Sequence, residues 1–492
     1  MPGTLVAGVD SSTQSTTVVL RRIIDGRIVG EARAPHPPTT PPRSEQDPES
    51  WWNALTDALI QLRSQLDQVA AISVGGQGHG LVLLNEDNIP LRPAKLWNDT
   101  EPAPDAERLR GLLSPAAWAE RTGSVPGPAL TVSKLAWTER CCPGLVAQAA
   151  QVMLPADYIV YRLSGKRITE RGGCSGTGYF NPFSNQWDLE LAHLAAPAVR
   201  FDQLPAIIES TSAAGEITQP QLRQLHGAVV GAGTGDNMAA ALGLGIEEGD
   251  IVISLGTSGT VYTVTPLGVK DASGAINGYA DATGRFMPMV TTLNAAKVTD
   301  CFRRLLGVRT DEFDALAVEP RRADQAPVLI PYLDGERTPD LPDATGRLLY
   351  LRSDSTRAEI ARAAVEGVLC GLLEGLDLLA KQGIRLDGRL ILTGGAARSR
   401  AFRQILSDLS GKAIWIAQIP EAAAAGAAVQ AAAAVTGEYI SKIARRWAPE
   451  LKISEEPEAT FPREAVRESY RIALESQIWE ALAKARLAAN NR

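Results

Sequence analysis

Cysteine and histidine are scarce: the 492-residue chain holds five of one and four of the other. No C-x-x-C pair occurs and no histidine stands beside a cysteine at metal-ligand spacing, so neither a zinc-type site nor a disulfide framework organises the chain. The adjacent Cys141 and Cys142 read as incidental. A basic block is also missing. With a net charge of −7, this argues against nucleic acid or anionic lipid as the main partner, because those surfaces call for clustered Lys and Arg. No apolar run approaches the ~20 residues of a membrane span. The first apolar run stops at Asp10 with no basic region ahead of it, unlike a secretory signal, and the expected compartment is the cytoplasm. Three signatures are absent as well: the G-x-x-x-x-G-K-S/T phosphate loop, the G-x-S-x-G nucleophile elbow and the H-E-x-x-H metalloprotease helix.

What is present is one small hydroxyl-rich turn, written twice. The first copy joins apolar residues 6–9 to 16–20 through Asp10-Ser11-Ser12-Thr13-Gln14-Ser15. The second joins 251–255 to 261–264 through Gly256-Thr257-Ser258-Gly259-Thr260. Each predicts a tight β-hairpin whose turn offers backbone N–H groups and short hydroxyls, with no bulky side chain to obstruct an anion. Two such turns suit one polyphosphate held from both sides. Only the first copy carries an acid, Asp10, which predicts a metal near that turn and phosphate oxygens alone near the other. This asymmetry is what a phosphotransferase needs.

A chain of this length exceeds one ordinary core, so two domains of roughly 200 residues or more each are expected. Residues 5–9, 16–24 and 28–32 read as a three-stranded meander. Asp47 then caps a helix opened by Pro48, with Trp52, Leu55, Leu59, Leu62 and Leu66 on one face. Buried strands follow at 69–74 and 81–84. The order βββαβ is a mixed α/β opening, not the strict alternation of a dinucleotide-binding domain. The second half repeats the theme, with a hairpin at 251–255 and 260–264, a buried strand at 389–392, and helices at 294–306, 357–381 and 402–410. Like openings in two halves predict an ancient duplication around a central cleft. The tail from Glu438 is charged, and the spacing of Val466, Tyr470, Leu474 and Ile478 predicts a terminal helix that packs back onto the body.

Candidate chemistry gathers at glycine-rich segments. Gly231-Ala232-Gly233-Thr234-Gly235 turns sharply and presents Asp236 and Asn237 at a helix start, where the dipole favours an acid. A helix cap is the alternative reading. A dinucleotide fingerprint is disfavoured because Asp236 occupies the place of the pyrophosphate. In Gly75-Gly76-Gln77-Gly78-His79-Gly80, a histidine stands among four glycines at a strand end. So little local packing favours a hydrogen bond to something from outside, such as a hydroxylated substrate. Trp97-Asn98-Asp99 adds an aromatic wall and two polar groups, a composition suited to a sugar, although a capped turn has the same letters. Thr393-Gly394-Gly395-Ala396-Ala397-Arg398-Ser399 lies between a buried strand and a helix, where bare backbone can approach adenine or ribose.

These motifs, in this order, resemble the FGGY carbohydrate kinases. The resemblance runs from about 5 to about 435 and rests on Gly-Val-Asp-Ser-Ser-Thr-Gln-Ser at 8–15, Gln77-Gly78-His79-Gly80, Leu96-Trp97-Asn98-Asp99 and Gly-Thr-Gly-Asp-Asn at 233–237. Ser254-Leu255-Gly256-Thr257-Ser258-Gly259, Gly335-Glu336-Arg337-Thr338-Pro339 and Gly394-Gly395-Ala396 complete it. It implies the actin-like ATPase fold, in which two similar α/β domains of ribonuclease-H-like type flank a cleft. The implied division is 1–247 with the sugar site, first phosphate turn and catalytic Asp, 248–437 with the ATP-binding part, and a helical extension at 438–492.

The resemblance also assigns roles by position. Asp236 is implied as the base that accepts the proton of the attacking hydroxyl. Gly78, His79, Trp97, Asp99, Asp236 and Asn237 are implied around the sugar. Asp10 is implied to hold Mg²⁺ through water. Asp10, Ser12, Thr13, Gly256, Thr257 and Ser258 resemble the phosphate-binding residues, and Gly394, Gly395 and Ser399 the adenosine turn. The implied reaction is ATP-dependent phosphorylation of D-xylulose to D-xylulose 5-phosphate, with ATP and Mg²⁺ as cofactors and a small sugar as the partner. A homodimer is compatible with it. Xylulose-phosphorylating members usually carry Met or Gln where this chain has Gly78, so another ketose or polyol is the alternative substrate. A sensor or actin-like protein without catalysis is disfavoured by the joint presence of Asp10 and Asp236.

Overall fold

The opening meander forms from strands Leu5–Ser11, Ser15–Arg22 and Ile28–Pro35, paired antiparallel in succession. The side chains of the first strand are almost wholly buried, as expected of a strand covered on both faces. Strand Val69–Gly76 joins its free side in parallel, then Val229–Gly231 in parallel, then Ala213–Glu216 antiparallel. The structure is a computed structural model that describes residues 3–320, 326–419 and 421–490. Parts of the expected segments at 1–2, 321–325, 420 and 491–492 lie outside the described residues.

Helix Pro48–Gln61 starts as its letters predict: the Asp47 carboxylate accepts the Glu49 amide at 3.0 Å and Pro48 occupies the first turn. It buries Trp51, Trp52, Leu55 and Leu59. It stops earlier than the apolar spacing suggested. The Leu62 amide turns back onto Leu59 at 2.9 Å, and Leu66 lies, still buried, in a separate 3₁₀ turn, Leu66–Gln68.

The chain divides into two compact units. The first comprises Met1–Ile246, Pro266–Met287 and Ile419–Pro449; the second comprises Glu247–Thr265, Pro288–Gln418 and Glu450–Arg492. In the first unit, helix Ala422–Thr436 crosses helix Asp236–Leu244 at very short range. A Cβ at Gly426 would lie 1.7 Å from the Ala239 carbonyl oxygen, so only glycine permits this crossing.

The second unit carries a sheet with the same connectivity. Ile251–Leu255 and Gly259–Tyr262 form a hairpin, with Phe286–Thr292 antiparallel beyond it. On the other side lie Leu390–Thr393 in parallel, Ile414–Ala417 in parallel and Leu451–Glu455 antiparallel. Across the six strands named in each, the two sheets repeat one pattern: antiparallel, antiparallel, parallel, parallel, antiparallel. This is the expected duplication, an α/β fold of the actin-like ATPase type.

The terminal helix Arg463–Asn490 packs in the second unit through Val466, Tyr470, Ala473 and Gln477. Arg467 and Arg471 bond Asp377 at 2.5 and 2.9 Å. The expected positions Leu474 and Ile478 are only half-buried. Among the described residues no helix is long and apolar enough to cross a membrane.

Candidate functional site

Three parallel strands of the first unit end side by side. Asp10 is in register with Gly75, and Thr234 of the short strand Thr234–Gly235 pairs with the same Gly75 from the other side. Asp10, the 75–80 loop and Asp236 therefore emerge at one edge of the sheet, the C-terminal edge at which open α/β sheets bind ligands.

Asp236 is the first residue of helix Asp236–Leu244. One of its oxygens accepts from the Asn237 amide at 2.7 Å and from Asn237 Nδ2 at 2.8 Å. Burial pushes its pKa up to about 6 against these bonds. Asp10 is pushed up further, to about 8, by burial and by the neighbouring charges of Asp236 and Glu421, with Arg33 opposing. Asp10 Oδ1 is buried and accepts no hydrogen bond from the described residues. A half-buried acid beside other acids, with one buried and orphaned oxygen, is a donor set that fits a divalent cation or its hydration water.

The turn after Asp10 is cross-braced. Ser12 donates both its amide and its hydroxyl to the Ser15 carbonyl at 3.0 Å. Thr13 Oγ1 accepts from Trp97 Nε1 at 2.9 Å and donates to Gln77 Oε1 at 3.3 Å. Gln77 returns its amide to the Ser11 carbonyl at 2.9 Å. The Ser12 amide and the Ser12 and Thr13 hydroxyl protons are thus used inside the protein.

His79 follows Gly78 with φ of 65°, a left-handed conformation unusual for a side-chain-bearing residue and a mark of an over-determined site. Its ring stacks on Tyr279 at 5.4 Å, with Nε2 and the Tyr279 hydroxyl 3.3 Å apart. Behind it, a Cβ at Gly176 would lie 2.0 Å from both Cε1 and Nδ1. Thr131 donates to the His79 carbonyl at 3.1 Å. Gly78 is not left-handed, and a Cβ there would meet none of the described residues within 4 Å.

Trp97 and Asn98 are partly exposed, whereas Asp99 is 1% exposed. Asp99 Oδ2 accepts from Lys95 Nζ at 2.8 Å and from the Ser44 amide at 2.9 Å, and Oδ1 accepts from the Glu101 amide at 3.0 Å. Its carboxylate is committed to the protein's own groups. Asn98 Oδ1, by contrast, is buried and accepts nothing from the described residues.

The second unit holds the other set. Gly256, Thr257 and Ser258 close the hairpin, with the Gly256 amide on the Ser258 carbonyl at 3.0 Å. The amides of Ala295 and Ala296 brace it on the Thr257 and Gly256 carbonyls at 3.3 and 3.1 Å. Glu336 steadies that bracing loop, accepting from the Leu293 amide at 2.6 Å and Asn294 Nδ2 at 2.9 Å. Gly394 has φ of 83°, and its absent Cβ would stand 2.4 Å from the Leu255 carbonyl oxygen, which places the Gly394-Gly395 turn against the hairpin end. Ser399 caps helix Arg400–Ser410 and donates to Asp314.

Sequence reasoning missed Tyr279 and Gly176. Gly172-Gly173 and Gly176 carried the same glycine-beside-polar signal used elsewhere. Tyr279 carried none, since it meets His79 from 200 residues away.

Comparison with known proteins places the chain in a family. The N-terminal domain model of the FGGY family of carbohydrate kinases matches residues 5–243, and the C-terminal domain model of that family matches 251–435. A xylulose kinase of Streptomyces rubiginosus is 43% identical over 94% of this chain and 95% of that protein. The crystal structure of xylulose kinase from Bifidobacterium adolescentis has a TM-score of 0.83 at 33% identity, covering 96% of this chain and 99% of the other. A gluconate kinase structure from Lactobacillus acidophilus reaches a TM-score of 0.90 at 22% identity, over 98% and 99% of the two chains, a likeness of fold alone. With both halves matched in order and the duplicated hairpins in place, the chain belongs to the FGGY family of carbohydrate kinases.

Proposed function

We propose that the protein transfers the γ-phosphoryl group of ATP to D-xylulose, giving D-xylulose 5-phosphate and ADP. The observation that carries this reading is the placement of Asp236 at a helix start, on a strand end in register with that of Asp10. The sugar hydroxyl oxygen attacks the γ-phosphorus, its proton passes to an Asp236 carboxylate oxygen, and the bond from phosphorus to the ADP oxygen breaks. A loose phosphoryl-transfer transition state needs positioning and charge neutralisation more than a strong base, so a carboxylate near pKa 6 suffices. Asn237 fixes one Asp236 oxygen and leaves the other for the substrate. His79, Asn237, Asn98 and the Trp97 ring are read as the sugar's surroundings. Asp99 acts by holding the 95–101 turn, with Gly78 leaving space beside the sugar.

Asp10 is read as the residue that holds Mg²⁺ through water, and Mg²⁺ when bound supplies charge neutralisation at the phosphates. Gly256 to Ser258 are read as the second phosphate turn, and Gly394 and Gly395 as the surface for adenosine. Ser399 supports that turn as a helix cap. In this reading residues 1–247 carry the sugar chemistry and 248–437 the nucleotide turns.

The space at Gly78 favours one second reading, a kinase for another ketose or polyol. Purified protein incubated with ATP, Mg²⁺ and a panel of pentuloses, tetritols and gluconate separates the two. The proposal requires the highest kcat/KM on D-xylulose, and a higher value on D-ribulose or a tetritol would replace it.

A further inference from the structure

Glu170 is 1% exposed, lies outside every motif that identified the family, and has no part in the phosphoryl transfer described above. Four donors nevertheless converge on its carboxylate. Oε2 accepts from the Gly172 amide at 2.9 Å, the Gly173 amide at 3.2 Å and Thr234 Oγ1 at 2.7 Å, while Oε1 accepts from Ser210 Oγ at 2.5 Å. A buried carboxylate is costly unless its lone pairs are satisfied, and here they are. Burial still raises its pKa.

What these donors belong to gives the arrangement its meaning. Thr234 stands two residues before Asp236, in the short strand that sets where the base begins. Gly172 and Gly173 lie in the turn Arg171–Cys174, which runs on to Gly176 behind the His79 imidazole. The turn also lies directly against the strand: a Cβ at Gly173 would be 3.5 Å from the Gly235 amide nitrogen, and one at Gly172 would be 3.0 Å from Thr234 Oγ1. A single oxygen therefore ties the element that delivers Asp236 to the element that backs His79.

We infer that Glu170 is a positioning residue for the phosphoryl transfer: it holds the base and the substrate histidine in mutual register. It touches neither sugar nor nucleotide in this account, and the inference rests on the reading of Asp236 as the base. Its chemistry predicts a particular tolerance. Glutamine keeps an oxygen for Thr234, Gly172 and Gly173, and can turn its NH₂ to Ser210, whose hydroxyl also accepts. Alanine leaves all four donors without this acceptor.

The test compares Glu170→Gln, Glu170→Ala and Thr234→Val by steady-state kinetics, reading kcat and the KM of sugar and of ATP separately, with thermal unfolding alongside. Thr234→Val is nearly isosteric and keeps the assay decisive if the alanine variant fails to fold. Expected are a kcat within about threefold of wild type for glutamine, a loss of about tenfold for Thr234→Val and about 10²-fold for Glu170→Ala, as sub-ångström to ångström misplacement of a reacting group predicts. The KM for ATP should stay within about twofold throughout. Wild-type kcat in Thr234→Val, or a loss in which the KM for ATP rises in step with that for sugar, overturns the inference. Asp236→Asn, run beside them, separates the failures: if it turns over normally, the reading of the base fails, whereas if it alone is inactive, only the role of Glu170 fails.

Discussion

The indole nitrogen of Trp97 donates to the Thr13 hydroxyl across 84 residues of sequence, at 2.9 Å. The bond joins the wall proposed for the sugar to the turn proposed for phosphate, and Thr13 passes it on to Gln77, two residues before His79. Trp97→Phe keeps the wall and removes the donor. A net hydrogen bond of about 1 to 1.5 kcal/mol corresponds to roughly tenfold, so kcat/KM for the sugar should fall by about that factor. Unchanged kinetics would show that Thr13 needs no brace.

Gly176 gives the sharpest steric prediction. Because a Cβ there would fall 2.0 Å from two atoms of the His79 ring, Gly176→Ala must push the imidazole off Tyr279. The KM for the sugar should rise by about tenfold or more while the KM for ATP stays constant. Equal sugar KM values in variant and wild type would remove His79 from the binding site.

Gly78→Met tests substrate breadth. The position is open and not left-handed, so a larger side chain enters without backbone strain. Across a sugar panel the variant should keep D-xylulose within about threefold and lose about tenfold on larger or differently branched ketoses and polyols. A uniform loss on every sugar would mean that the space beside Gly78 is not part of the binding site.

Asp10 couples function to stability. Its pKa is raised from 3.8 to about 8 in the folded protein. Below the lower value it is neutral in both states, and as pH rises towards 8 the unfolded chain ionises freely while the folded protein does so at a cost. Its favourable contribution is therefore lost across that window. Asp10→Asn should raise the Tm of metal-free protein at pH 8 by about 2 to 4 °C, while lowering kcat and raising the Mg²⁺ concentration for half-maximal rate. A lower Tm together with an unchanged Mg²⁺ titration would contradict the assignment.

Local signals were readable and long-range ones were not. Both hairpins, the Asp47 cap and the helix start at Asp236 follow from adjacent residues, so propensity and capping suffice. Asp99 looked like a sugar ligand because its neighbours Trp97 and Asn98 do. Nothing in that tripeptide announces that the Lys95 ammonium and the Ser44 amide converge on Oδ2 of Asp99 while the Glu101 amide takes Oδ1. Tyr279 lies in the second half of the chain yet serves the first unit, a placement that only the folded backbone creates. The tail helix shows a geometric limit. Residues spaced by four advance about 40° beyond a full turn at each step, so a face starting at Val466 and Tyr470 continues through Ala473 and Gln477, and Leu474 and Ile478 drift off it.

The central claim is that Asp236 takes the proton of the sugar hydroxyl. Asp236→Asn preserves shape and removes basicity, and the measurement is kcat paired with the dissociation constant of D-xylulose by titration calorimetry. The account predicts binding within about threefold of wild type and kcat reduced by about 10² to 10⁴. It also predicts that wild-type kcat/KM declines as pH falls through about 6, where the Asp236 carboxylate protonates. An Asp236→Asn enzyme with wild-type kcat would contradict it and return Asp236 to the role of a helix-start residue.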